Sequence, residues 1–165
     1  MRVLVTRPGA DGQALAELLG KLGVEVVLEP LLKVREHKVA FVDTDGVQAY
    51  LSTSANGVRA LINTDPDFSI PLFAVGDTTA TDARQSGFKT VHSASGDVAA
   101  LANLVNDILD PKGGALIHAA GSSQASDLKS EVERYGFECR RKILYETETV
   151  KSLTPAAVAA IKSNG

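Results

Sequence analysis

Short apolar runs alternate with helically spaced apolar positions along almost the whole chain. Val3-Leu4-Val5 is too short for a helix and is ended by Thr6-Arg7-Pro8-Gly9. Leu15, Leu18, Leu19 and Leu22 then recur at helical spacing before Gly23, which reads as a C-terminal stop. Val24 to Leu28 is rich in β-branched residues and predicts a second strand. Strand, helix and strand make a βαβ unit, whose parallel strands need both faces covered. The unit returns later. Ala115-Leu116-Ile117-His118 matches the first strand, Leu128, Val132 and Tyr135 before Gly136 match the helix, and Phe137 to Leu144 matches the second strand. Gly9 and Gly121 stand 112 residues apart and Gly23 and Gly136 stand 113 apart, so the helices correspond with one residue inserted in the loop. Shared βαβ physics alone would produce the same pattern.

Two further strand-to-helix units lie between the copies. Val47 to Leu51 runs into Ser52-Thr53-Ser54 and a helix with Val58, Leu61 and Ile62. Leu72 to Val75 leads through Gly76-Asp77-Thr78-Thr79 to a helix that stops at Gly87, followed by the short strand Thr90-Val91-His92. Asp97 is a suitable N-cap for a helix carrying Val98, Leu101, Leu104, Val105, Ile108 and Leu109. Strands alternating with helices predict an α/β protein with parallel sheets. Lys33 to Lys38 and Glu146 to Val150 are polar, lack a clear amphipathic period and read as linkers. The pattern therefore predicts residues 1–34 as the first part of lobe 1 and 35–38 as a linker. Lobe 2 follows at 39–145, then a second linker at 146–150 and the start of a return into lobe 1 at 151–165. Only one helix signal follows that linker: Thr154-Pro155, a cap and an N1 proline, then Val158 and Ile161. Two strands and two helices cannot cover both faces of a parallel sheet. Lobe 1 is thus expected to be incomplete, in a truncated chain or in one that a partner completes.

Composition narrows the function classes. Apolar residues make up 44% and charged residues 22%, ordinary for a chain that buries a core. A net charge of −3 and a pI near 5.6 argue against a nucleic-acid partner, which calls for a basic face. No run approaches the ~18 apolar residues of a membrane span, and the interrupted N-terminus is no signal peptide. The single Cys139 forms no internal disulfide and fits a cytoplasmic setting. His37, His92 and His118 are widely separated, so no metal site is expected.

Specific motifs are absent. The dinucleotide and P-loop fingerprints are missing, and Ser52-Thr53-Ser54 lacks the elbow and partners of a hydrolase nucleophile. What recurs is a type of strand end: Thr6-Arg7-Pro8-Gly9, Thr53-Ser54-Ala55-Asn56-Gly57, Gly76-Asp77-Thr78-Thr79 and Gly121-Ser122-Ser123. Ligands bind at that edge of open α/β sheets, where free N–H groups and helix dipoles favour anions. Plain helix capping accounts for many of the same residues. Tyr145, in Ile143-Leu144-Tyr145-Glu146-Thr147, could give a proton to a leaving group or serve as a core or hinge tyrosine. Arg7 reads as a carboxylate partner or a solvated surface arginine.

The ordered set VLVTRPG, STSANGVRAL, VGDTTATDARQSGF and LYET, with GDVAALANLV more weakly, resembles the uroporphyrinogen-III synthase family. The resemblance covers essentially the whole chain. It implies two small parallel-sheet (flavodoxin-like) lobes joined by two β-type linkers, the first lobe being incomplete here. It also implies a cofactor-free cytoplasmic lyase, monomeric at full length, that cyclises hydroxymethylbilane to uroporphyrinogen III with inversion of the last pyrrole ring. On that resemblance Tyr145 assists loss of the hydroxyl. Thr6, Arg7, Thr53, Ser54, Ala55, Asn56, Gly76, Thr79, Gly121 and Ser122 would meet the carboxylates of the substrate. The chain departs from the family at Ala120, where arginine is frequent, and ends before the family's second Thr-Ser turn. A non-catalytic polyanion-binding or regulatory module of the same fold is the alternative. A response-regulator-like domain is disfavoured because Thr6-Arg7 lacks paired acids.

Overall fold

The alternation of apolar runs and helical stripes becomes an α/β chain with mostly parallel sheets. The computed structural model describes residues 1–38, 42–123 and 127–163. The chain divides into two compact units, one made of 1–35 with 147–165 and the other of 36–146.

The larger unit takes its sheet from β4 (Val47–Ser52), β5 (Leu72–Ala74), β6 (Val91–Ser93), β7 (Ala115–Gly121) and β8 (Cys139–Thr149). With β3 (Leu32–Glu36) the strand order is β3-β8-β7-β4-β5-β6, and the β8/β7, β7/β4, β4/β5 and β5/β6 pairs are parallel. Its helices are α2 (Ala55–Ile62), α3 (Asp77–Gln85), α4 (Val98–Ile108) and α5 (Leu128–Glu133). Side chains alternate across a strand, and the core splits accordingly. Tyr50, Leu72, Ile117 and Leu144 pack with Val58 and Leu61 of α2 and Ala80 of α3. Ala49, Leu51, Phe73 and Leu116 face Leu101, Val105, Leu128 and Val132 of α4 and α5. Every residue of β7 is buried, as expected of a strand covered on both faces.

The smaller unit pairs β1 (Arg2–Val5) with β2 (Glu25–Leu28) in parallel, flanked by α1 (Gly9–Lys21) and α6 (Pro155–Lys162). Its buried residues are few and small: Val5, Gly12, Ala157 and Ala160, with Glu29. Leu18 and Leu22, part of the predicted apolar stripe, are 57% and 71% exposed. Glu29 is nonetheless buried, and its carboxylate accepts from the backbone N–H of Thr154 at 2.9 Å and from its hydroxyl. Thr154 caps α6 as expected, accepting from Ala157 N–H at 3.2 Å.

The polar stretches read as linkers are largely strand: 33–36 belong to β3 and 146–149 to β8. Val150 donates to the Leu31 carbonyl at 2.9 Å and His37 to that of Leu144 at 2.8 Å, so β3 and β8 run in opposite directions. Backbone pairing holds this ribbon, and backbone pairing needs no apolar period. Tyr145 consequently lies inside β8 rather than at its end. The two copies of the βαβ pattern also end their helices alike. Val24 N–H reaches the Leu19 carbonyl and Phe137 N–H that of Val132, while Gly23 and Gly136 take φ of +75° and +89°. Glycine supplies that left-handed closure without strain.

Candidate functional site

Within the larger unit a cleft of about 610 Å³ opens at the carboxyl ends of the central strands. Thr53, Ser54, Val75, Ala120, Gly121 and Tyr145 line its sheet side, and Asp97, Val98, Ala99, Asp127 and Glu131 come from the α4 and α5 side. His118, Arg141 and Ser123 complete the lining.

The Thr53-Ser54 turn is set by its own hydroxyls. Ser52 Oγ donates to the Ser54 carbonyl at 2.9 Å, and Ser54 Oγ accepts from Gly57 N–H at 3.1 Å as the N-cap of α2. Ser54 Oγ also lies 2.9 Å from Tyr145 Oη. That contact spans a strand, because β7 lies between β4 and β8. The parallel register slips between Ala120 and Gly121, which brings Tyr145 opposite Gly121 with Leu144 as the extra residue. A Cβ at Gly121 would stand 2.8 Å from Cε2 and Cζ of the Tyr145 ring. Glycine at 121 therefore gives the phenol its path over the end of β7 to Ser54. Ser122 N–H holds the Tyr145 carbonyl at 2.9 Å.

His118 and Arg141 face each other in the β7/β8 register. His118 is 3% exposed, and neither ring nitrogen has a hydrogen-bond partner among the described residues. Burial pushes its pKa down to about 4, helped by the Arg141 charge and opposed by Asp127, so the ring is neutral at pH 7. Arg141 Nη2 donates to the Gly121 carbonyl at 2.6 Å, whereas its Nε is buried without a partner. The acids at the rim are engaged. Asp97 caps α4 on Ala100 N–H at 2.9 Å, Asp127 caps α5 on Ser130 N–H at 3.2 Å, and Glu131 pairs with Arg134 at 3.2 Å.

Of the residues singled out in the sequence, Thr53, Ser54, Gly121 and Tyr145 line this cleft. Ala55 and Asn56 open α2 beside it, and Asn56 Oδ1 accepts from Arg59 at 3.3 Å. Gly76 caps α3, while Thr79 is 6% exposed within that helix, and neither reaches the cleft lining. Ser122 is exposed next to it. Thr6 and Arg7 are exposed in the smaller unit. Two of the expected strand-end turns thus meet here, and the turn before α4 brings Asp97 to the lining. His118 and Arg141 carry no functional reading in the sequence. A titratable residue inside the apolar run Ala115 to Ala120 is the available signal.

Cys139 is buried, and burial pushes its thiol up to about 11, so it is not a nucleophile at neutral pH. Among the described residues no group of three His, Cys, Asp or Glu could hold a metal ion. No helix there is long and apolar enough to cross a membrane.

Comparisons with known proteins fit this arrangement. The family model for uroporphyrinogen-III synthase HemD matches residues 13–165. A mutant uroporphyrinogen III synthase from the extremely thermophilic bacterium Thermus thermophilus is similar in structure at 17% identity and a TM-score of 0.58. The match covers 99% of this chain and 67% of that one. Uroporphyrinogen-III synthetase from Helicobacter pylori gives 17% identity and a TM-score of 0.64, over 96% of this chain and 66% of that one. At such identity the likeness is one of fold, and this chain spans about two thirds of the length of those structures. No curated protein sequence matches.

Proposed function

The chain belongs to the uroporphyrinogen-III synthase family, and from that premise we propose that its larger unit supplies a catalytic wall for closing hydroxymethylbilane to uroporphyrinogen III. The observation that carries this reading is the 2.9 Å contact between Ser54 Oγ and Tyr145 Oη, residues 91 apart in sequence. It makes a short relay. Gly57 N–H, at the positive end of α2, donates to Ser54 Oγ at 3.1 Å, which frees the Ser54 proton to point at Tyr145. In the proposed step the phenol proton passes to the departing hydroxyl, which leaves as water. The Ser54 hydroxyl then donates a hydrogen bond to the phenolate, and the substrate becomes an azafulvenium cation that keeps its pyrrole N–H. Attack by the substituted carbon of the last pyrrole gives a spiro intermediate. The bond from that carbon to its original methylene then breaks, and the ring's unsubstituted α-carbon captures the freed methylene, which inverts the ring and closes the macrocycle. Closure releases the proton of that α-carbon, which balances the proton that the phenolate takes up to restore the phenol. Strand-end amides and the hydroxyls of Thr53 and Ser54 receive substrate carboxylates, so an acidic protein can hold a polyanion through oriented dipoles.

The test is turnover of hydroxymethylbilane by the chain, with the isomer of the product determined. A general acid contributes on the order of a hundredfold or more. Tyr145→Phe should therefore lose about that factor in kcat while substrate binding is kept. Unchanged turnover in Tyr145→Phe overturns the role of the phenol. A wild-type chain that binds the bilane yet yields only the non-inverted isomer overturns the enzyme reading and makes the chain a binding module.

A further inference from the structure

The floor of the cleft holds more unpaired hydrogen-bonding capacity than capping or packing explains. His118 lies almost wholly buried in the middle of a strand whose every residue is buried, with both ring nitrogens unpartnered among the described residues. Its register partner Arg141 adds a buried Nε that also lacks a partner. Buried polar groups are nearly always paired, so each exception asks for an explanation. These two are neighbours and belong to one cleft. Arg141 is held in position at its far nitrogen by the Gly121 carbonyl. Its guanidinium is a planar fork that matches a carboxylate.

We propose that His118 and Arg141 form a side-chain subsite that receives one carboxylate of the ligand, deeper in the cleft than the strand-end amides. The inference rests on the reading of the substrate as a polycarboxylate. The charged groups around His118 leave room for it. Asp97 projects from α4 and Asp127 and Glu131 from α5, but two of them cap helices and the third pairs with Arg134. Arg141 is the cation nearest the ring across the sheet. A neutral imidazole offers one N–H to an anion, and an anion seated between the two side chains would offset the burial and Arg141 charge that disfavour the imidazolium. Ligand binding should therefore draw a proton onto His118.

The experiment follows ring-nitrogen NMR signals of the chain carrying 15N-histidine, titrated with propionate and separately with the polycarboxylate uroporphyrin I. His118→Gln assigns the resonance among those of His37, His92 and His118. The expected result is that both probes move the His118 signals and raise its titration midpoint, while His37 and His92 stay still. Arg141→Gln should weaken uroporphyrin I by about ten- to a hundredfold, the range for a hydrogen bond to a charged group. If uroporphyrin I binds wild type and Arg141→Gln equally and His118 does not respond, the subsite is wrong and the tetrapyrrole reading stands. If propionate moves His118 but uroporphyrin I does not bind, the subsite stands and the tetrapyrrole reading falls. No response to either probe overturns both. The NMR titrations themselves use wild-type protein, and His118→Gln serves only to assign the resonance.

Discussion

The β1-α1-β2 and β7-α5-β8 modules have the same local architecture in two settings. Each is a parallel βαβ unit whose helix closes on a left-handed glycine with the same backbone hydrogen bond. Their burial differs sharply. All of β7 is buried between two apolar clusters, whereas in β1 only Val5 is. Local pattern is enough to write the module, but neighbours decide what its side chains do. In the larger unit β4 and β5 extend the sheet and helices cover both faces, so β7 becomes a core strand that can carry a buried histidine to a cleft. In the smaller unit α1 and α6 flank the sheet, but among the described residues no further strand extends it. Its polar anchor is Glu29 holding the start of α6.

The sharpest way to break the comparison uses matched leucines. Leu4 and Leu116 occupy corresponding positions, 112 residues apart, but Leu116 is 0% exposed and Leu4 only partly buried. Leu116→Ala should cost about 2–5 kcal/mol, the transfer term plus a cavity. Leu4→Ala should cost nearer 1 kcal/mol, about the common value for a partly buried truncation. Urea titrations of the two variants decide it. Equal losses would mean that the smaller unit owns a core comparable with that of the larger.

A second test uses another matched pair, exposed Thr6 and buried His118. The folded pKa of His118, about 4, lies below the ordinary value of 6.5. Between those values the unfolded chain binds a proton that the folded chain refuses, so stability falls as the pH drops through that window. The full penalty, reached near pH 4, is on the order of 3 kcal/mol. At pH 7 little of it is present. Replacing His118 by Gln should flatten this part of the stability–pH curve, measured by urea midpoints at pH 7 and pH 5. A variant with wild-type slope would place the acid sensitivity elsewhere.

The same contrast explains what can be read from the sequence. Strand and helix alternation, the caps at Asp97 and Thr154 and the helix stops at Gly23 and Gly136 are local, and the chain carries them openly. The Ser54–Tyr145 contact is not local. It depends on β7 lying between β4 and β8, on a register slip at Gly121 and on the missing side chain there. No pattern within a dozen residues encodes that order, although Ser54 is marked by its strand end. His118 and Arg141 are harder still. In sequence one ends the predicted strand Ala115 to His118 and the other sits in the charged run Arg140-Arg141-Lys142 within the predicted strand Phe137 to Leu144. Only the register brings them to one face. The charged linkers, expected as β-type connections, show no apolar period because their pairing is carried by backbone groups that every residue possesses.

The smallest expected effect belongs to the smaller unit. Glu29 is 2% exposed, and its carboxylate accepts from both the backbone N–H and the hydroxyl of Thr154. It thereby fastens the first turn of α6 to the end of β2. Glu29→Ala removes both hydrogen bonds and leaves the Thr154 N–H without this acceptor, a loss of about 1–3 kcal/mol. With so few buried apolar groups around it, α6 has little else to fall back on, so the loss should be local. Hydrogen exchange should show amides of Ala157 to Ile161 opening while those of β7 keep their protection. If β7 loosened equally, the two units would be opening as one cooperative body. The different burial of their βαβ modules would then no longer imply different stabilities.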